Sequence, residues 1–274
     1  MRGGTESQGY TILEVMIFMA ISGLMFVIAA GFVNGKQAKT QFRQSMNSIA
    51  ADVQRVIDDV DNGFYPSGQD FNCKAVAGNL NISAGSSKQG ENLDCVFMGK
   101  VIQFGVTGGN EGAYNVYSIA GLHYVPSSGN RIPTSFIEAK PKVIGFNTTE
   151  HNIFSGSEKV TKVTSSGAPI NGIGFFSSFG TYASGVSLQS GSQNVIVVKI
   201  PGPGVLGESE TSMVTDIESQ VTNPANQISN PNIGICVDSG SGQFGKLTIG
   251  GTSNQRLTTS VKIGNNADAA AVGC

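Results

Sequence analysis

The sequence predicts an α+β protein, one long N-terminal helix followed by a β-rich globular head, and three observations carry that reading. Residues 10–32, YTILEVMIFMAISGLMFVIAAGF, hold a single charge, Glu14. Beyond Lys36 the apolar residues Phe42, Met46, Ile49, Val53, Val56 and Val60 recur at alternating steps of four and three, the period of one helical face. From residue 95 onward, runs rich in β-branched and aromatic residues alternate with Gly-, Ser- and Asn-rich stretches, the pattern of strands and loops.

The first element is long enough to cross a bilayer, which takes about 20 residues of helix. It exceeds the roughly 7–15-residue core of a secretory signal, and no A-x-A-like site follows it. Gly23 and Gly31 interrupt it at a cost of about 1 kcal/mol each in helix propensity, a composition that suits close packing between helices. The amphipathic period then carries the helix to residue 60, where DNGFYPSG supplies stop signals. Residues 61–94 read as a long loop. Strands are expected at 95–106, 114–125, 142–146, 172–179, 194–200, 232–238, 245–251 and 256–264, with a short helix within 208–221.

Composition narrows the class. Charged residues make up 13% of the 274 and the formal net charge is −2, whereas ordinary domains carry about 25% charged residues. With 37 glycines and no tryptophan, this is the profile of an extracytoplasmic protein with long loops. A nucleic-acid partner is not indicated, since no face gathers Lys and Arg. The four cysteines, Cys73, Cys95, Cys236 and Cys274, form no C-x-x-C pair, and an even count in an exported chain favours disulfides, for which three connectivities exist. Cys73–Cys95 with Cys236–Cys274 is preferred because each pair closes the shorter loop within its own half.

Gly9 followed by Tyr10 and TILEV, an unbroken apolar span and an amphipathic extension resemble the N-terminus of type IV prepilins, the class that includes type II secretion pseudopilins. The resemblance implies a pilin-like architecture: a leader at 1–9, a transmembrane and filament-core helix at 10–33, its amphipathic continuation at 34–60, and a β-rich extracytoplasmic head at 61–274. It implies that a prepilin peptidase cuts after Gly9 on the cytoplasmic face and methylates Tyr10. Glu14 then matches the acidic residue of the family's assembly motif, and Gly23 and Gly31 mark where the helix unwinds in a filament. Implied partners are other pilin or pseudopilin subunits, the membrane and an inner-membrane assembly platform. Implied localisation is a single pass through the cytoplasmic membrane, N-terminus inside, and then an extracytoplasmic filament. Lys36, Lys39 and Arg43 follow the span, a balance that alone favours the opposite orientation; the cleavage motif and the cysteines are weighted above it. A mature chain of 274 − 9 = 265 residues is large for a pilin and points to a minor or specialised subunit.

Physics gives Glu14 the same part. A carboxylate at bilayer depth costs roughly 2.5–3.5 kcal/mol on insertion scales unless a partner satisfies it, and the amine freed at Tyr10 of a neighbouring subunit is such a partner. The bland alternative is a carboxylate that reaches back to the interface.

Catalytic motifs are scarce. GPGVLG at 202–207 fits G-x-G-x-x-G after a strand, but no βαβ alternation surrounds it, and a Gly/Pro turn is the better reading. His123 in a strand-like segment and His151 in a loop stand in no ligand spacing, and DDVDNG at 58–63 reads as a solvated helix end rather than a calcium loop. Asn81 and Asn147 head glycosylation sequons, which mark loops at most. The expectation is therefore a non-catalytic subunit with no cofactor and no metal. The competing expectation is an anchored extracytoplasmic binding or hydrolytic domain whose N-terminal helix is never cut.

Overall fold

The computed structural model describes residues 11–63, 71–85, 91, 93–106, 110–125, 131–145, 148–154, 156–178, 195–202, 208–250, 256–265 and 272–274. The chain divides into two compact units, residues 1–43 and 44–274. A single helix, α1 (Ile12–Asp61), contributes residues to both. It ends where expected: Asn62 and Gly63 close it, Gly63 with a left-handed φ of 66° that glycine adopts without strain.

The second unit is an antiparallel sheet with helices on its faces. Eleven strands form the main sheet among the described residues. They are β3 (Cys95–Val106), β4 (Asn110–Leu122), β5 (Lys142–Val143), β6 (Glu150–Ile153), β7 (Lys159–Ser165), β8 (Ala168–Ser177), β9 (Val195–Pro201), β10 (Gln227–Ile228), β11 (Asn232–Asp238), β12 (Gln243–Gly250) and β13 (Thr258–Asn265). The spatial order runs β13-β12-β11-β7-β8-β3-β4-β5, with β6 also on β4, β9 on β8 and β10 on β9. Gly99 permits the closest approach, because a Cβ there would fall 2.0 Å from the Phe175 carbonyl oxygen of β8.

Alternation along the central strands sends side chains to two buried faces. On one face Val101, Tyr117, Ile119 and Phe176 pack under helix α3 (Glu210–Gln220) through Met213 and Ile217. A single-turn helix, α2 (Phe136–Ala139), adds Phe136 and Ala139 to the same cluster. On the opposite face Lys100 and Tyr114 reach carboxylates of α1. There Met46, Ile49, Val53, Val56, Ile57 and Val60 are no more than 3% exposed, so the four-three stripe read from the sequence is the buried stripe.

Several expectations need correction. Residues 71–84 are not loop but a hairpin, β1 (Phe71–Val76) and β2 (Asn79–Ala84), turned by Ala77 and Gly78, both at positive φ. That is the two-residue geometry matched to strand twist. Its inner residues Phe71, Cys73 and Leu80 pack with Ala120, Leu122 and Ile144. The strand expected at 142–146 shrinks to Lys142–Val143, and β6 and β7 arise where no strand was expected. The disulfides join Cys73 to Cys95 and Cys236 to Cys274. The first ties the hairpin to the start of β3, and the second ties the C-terminus to β11.

Candidate functional site

The feature that most departs from ordinary globular design is the first half of α1. Ile12, Leu13, Met16, Phe18, Leu24 and Phe26 are 64–82% exposed, and none of the window Ile12–Ala29 is buried. An isolated exposed leucine needs no explanation, but a helix apolar on every side does: it is the composition of an element surrounded by lipid or by other helices. This is one helix long and apolar enough to cross a membrane.

Glu14 lies in the first turn of that helix. Thr11 stands three residues ahead, and its hydroxyl accepts the Glu14 backbone N–H at 3.3 Å. Thr11-x-x-Glu14 is therefore a capping-box sequence, in which the hydroxyl satisfies one orphan donor of the helix start and the carboxylate complements the positive end of the dipole. The sequence reading missed this local role, although the T-x-x-E spacing carries the signal. The Glu14 carboxylate itself is exposed. An added Cβ at Gly23 would meet nothing within 4 Å, and Gly31 is helical. Gly9 and Tyr10 lie outside the described residues.

The head holds its charges differently. Lys100 on β3 is 1% exposed, and its Nζ donates to Asp59 Oδ2 of α1 at 2.9 Å and to Glu150 Oε1 of β6 at 3.1 Å. Arg55 approaches the second oxygen of Glu150 at 3.5 Å. One turn earlier on α1, Asp52 accepts from the Tyr114 hydroxyl at 2.9 Å. Burial, then that hydrogen bond to a carboxylate, pushes the Tyr114 phenol well above its usual range. Arg256 pairs with Asp58 at 3.0 Å. The acidic helix end at 58–63 is thus not simply solvated: Asp59 ties it to Lys100 of β3, and Asp58 meets Arg256 just ahead of β13. His151 lies in β6 rather than in a loop, with Nδ1 2.9 Å from Asn115 Oδ1.

On the other face, Tyr117 donates to Gln103 Oε1 at 2.6 Å, and burial pushes its phenol up to about 12. Gln103 in turn donates to the Glu208 carbonyl oxygen. Asp216 sits above the usual carboxylate range, because burial comes first and the neighbouring Glu208 charge and hydrogen bond add to it.

An apolar pocket of about 100 Å³ opens beside the start of β3, lined by Val96, Met98, Leu122, His123 and Pro133 among others. His123 places Nδ1 2.9 Å from the Leu93 carbonyl oxygen and stacks on Tyr124. Of the G-x-G-x-x-G stretch, Gly202 follows β9 and 203–207 lie outside the described residues, as does Asn147; Asn81 is in β2. Among the described residues no three His, Cys, Asp or Glu side chains group as metal ligands. No family model matches the chain, and neither a curated protein nor a solved structure matches it.

Proposed function

We propose that the chain is a pilin-like structural subunit, minor or specialised, of a type IV pilus or type II secretion pseudopilus. It is inserted in the cytoplasmic membrane as a prepilin with its N-terminus inside, cut after Gly9, methylated at Tyr10 and assembled through α1 into an extracytoplasmic filament. The observation that carries the reading is the bare apolar surface of Ile12–Ala29 with Glu14 as its sole charge. Lipid covers such a surface before assembly, and the same surfaces of neighbouring subunits cover it afterwards. The subunit then works by packing and needs no cofactor. Its interactions are with a prepilin peptidase, an inner-membrane assembly platform and other pilin or pseudopilin subunits.

Peptide mass spectrometry of protein sheared from native filaments tests this. The N-terminal peptide is expected to begin at N-methylated Tyr10, and peptides containing residues 1–9 in assembled protein would overturn it. The apolar pocket beside β3 favours a second reading, an anchored binding domain. An intact Gly9–Tyr10 bond together with absence from filaments would select that one.

A further inference from the structure

Lys100 is the one fully buried cation among the described residues. Strand register explains what surrounds it. In β3 it stands opposite Ser118 of β4 and Phe175 of β8, both no more than 1% exposed. Val116 of β4 stands opposite both Ile102 of β3 and Glu150 of β6. Alternation therefore turns Lys100 and Glu150 to one face of the sheet, the face on which Asp59 of α1 sits. One amine is touched there by two carboxylates: Nζ lies 2.9 Å from Asp59 Oδ2 and 3.1 Å from Glu150 Oε1.

Charge balance needs only one of them. Asp59 neutralises the ammonium, and Glu150 already has a counter-ion in Arg55, 3.5 Å from its other oxygen. Glu150 thus brings to the amine a carboxylate that ion pairing does not require. An amine and a carboxylate held in contact are also the two reactants of an amide. In water their condensation runs uphill, because both ions are well solvated and water is in excess. Two effects oppose that inside a fold. Fixed contact can be worth an effective concentration of about 10⁵–10⁸ M. Ions taken out of water also carry a desolvation cost that a neutral, hydrogen-bonded amide escapes.

We infer that Lys100 and Asp59 are the site of an intramolecular isopeptide bond, formed with Glu150 as proton carrier. Glu150 takes one proton from the Lys100 ammonium and passes it to an Asp59 oxygen. The neutral amine attacks Asp59 Cγ, and the N–C bond forms. Glu150 then takes a second proton from the nitrogen and delivers it to the same Asp59 oxygen, which leaves as water when the C–O bond breaks. One ammonium and one carboxylate become one amide and one water. Glu150 ends as the carboxylate it began, placed to accept the amide N–H. Asp59 is the partner rather than Glu150 because it is the closer and the less exposed, its side chain 20% exposed against 34%. The bond joins the last turn of α1 to β3 across 41 residues of sequence. The inference stands apart from the filament reading and survives or fails without it.

Mass decides it. The full-length chain is purified in detergent, reduced, alkylated and digested with trypsin. Wild-type protein is expected to give a branched peptide joining Asp59 to Lys100, lighter by one water than its two parts, with no cleavage after Lys100. Asp59→Asn is expected to give the same branched peptide, expelling ammonia instead of water. Glu150→Gln keeps size and polarity, and is expected to link about 10²–10⁴-fold more slowly, with circular dichroism as the check that it folds. Neither Lys100→Met nor Asp59→Ala can form the bond, so stabilities compared between such variants refer to open chains. The inference is overturned if wild-type Asp59 and Lys100 appear only in linear peptides of full mass. It is equally overturned if the missing water maps to another pair of residues, and linkage of Glu150→Gln at the wild-type rate overturns the part given to Glu150.

Discussion

The two ends of α1 obey opposite rules. Between Ile12 and Ala29 every side chain is exposed and Glu14 is the sole charge. From Gln44 to Asp61 the large apolar residues Met46, Ile49, Val53, Val56, Ile57 and Val60 are buried, Asp52 and Asp59 are bonded to the sheet, and Asp58 pairs with Arg256 just ahead of β13. A helix earns most of its stability from what its apolar face buries. The second half therefore owes its place to the head, while the first half buries none of its apolar surface against the described chain. Substitutions of the same chemistry in the two halves should accordingly report on different things.

The largest effect is expected at the buried cation. Removing both carboxylates, Asp59→Ala with Glu150→Ala, leaves Lys100 charged and unpartnered in the core, which should cost about 3–5 kcal/mol. Lys100→Met removes the buried charge itself and leaves Asp59 and Glu150 20% and 34% exposed. That variant should be much less destabilised, because a packed apolar side chain often replaces a buried ion pair at little cost. Urea unfolding of both variants checks the order; a Lys100→Met loss equal to the double variant's would mean the pairing itself, not the orphaned charge, sets the stability.

Met46→Ala against Met16→Ala sharpens the comparison directly. Met46 is fully buried and touches the space a Cβ would take at Gly245, so its truncation should cost about 2–5 kcal/mol of head stability. Met16 is 68% exposed, and its truncation should leave the head's unfolding midpoint unchanged. Any cost should appear instead in the membrane or the filament. A Met16→Ala shift as large as that of Met46→Ala would erase the distinction between the halves.

The Cys236–Cys274 bridge closes a loop of 38 residues and should contribute roughly 2–4 kcal/mol. A double serine variant compared in reducing and oxidising buffer measures it, and a wild-type protein unchanged by reduction would deny the bridge that part.

Smaller still is the alkaline effect. The Tyr114 and Tyr117 phenols are raised above their ordinary values, so their neutral forms favour the folded state. That stability is fully present below the unfolded value near pH ~10 and is lost as pH rises through the folded values. Phenolate absorbance should therefore show two phenols still protonated at about pH 11 in the folded head, ionising only when urea unfolds it. Full ionisation without unfolding would contradict their burial.

What was legible in the sequence follows from how each element is stabilised. The strand expected at 95–106 and that at 232–238 appear with those bounds as β3 and β11, because both are continuous runs packed on two sides. The four-three stripe of α1 was equally plain. The β1–β2 hairpin was not, since Asn72, Lys74, Asn79 and Asn81 give it a polar outer face; only the alternation of Phe71 with Cys73, and of Leu80 with Ile82, marked it. The hydrogen bond from the Asn171 amide to the Glu208 carboxylate was invisible for another reason. Asn171 and Glu208 lie 37 residues apart, and the pairing of β8 with its neighbours brings them together, which no local pattern records. The aspartates at the end of α1 looked solvated because their partners, Lys100 and Arg256, lie about 40 and nearly 200 residues away.

The smallest expected effect on stability, and the most telling for function, is at Glu14. In the isolated subunit it serves the helix start, where a carboxylate in the first turn is worth about 0.3–1 kcal/mol. In lipid its charge costs more than that. Glu14→Ala should therefore leave the membrane-inserted protein as abundant as wild type, or more so. If a neighbouring subunit's N-terminal amine is its partner in the filament, incorporation should fall for Glu14→Ala and also for Glu14→Gln, which keeps shape and hydrogen bonding but loses the charge. If Glu14 is only a capping residue, Glu14→Gln should behave as wild type, because glutamine fills that position in a capping box as glutamate does. Thr11→Val supplies the control for the cap, removing the hydroxyl that accepts the Glu14 N–H while sparing the carboxylate. The ratio of sheared-filament subunit to total membrane-bound subunit, in cells lacking the wild-type copy, separates the cases. Loss with Glu14→Gln but not with Thr11→Val assigns the carboxylate to assembly; loss with Thr11→Val alone assigns the turn to folding of the helix start.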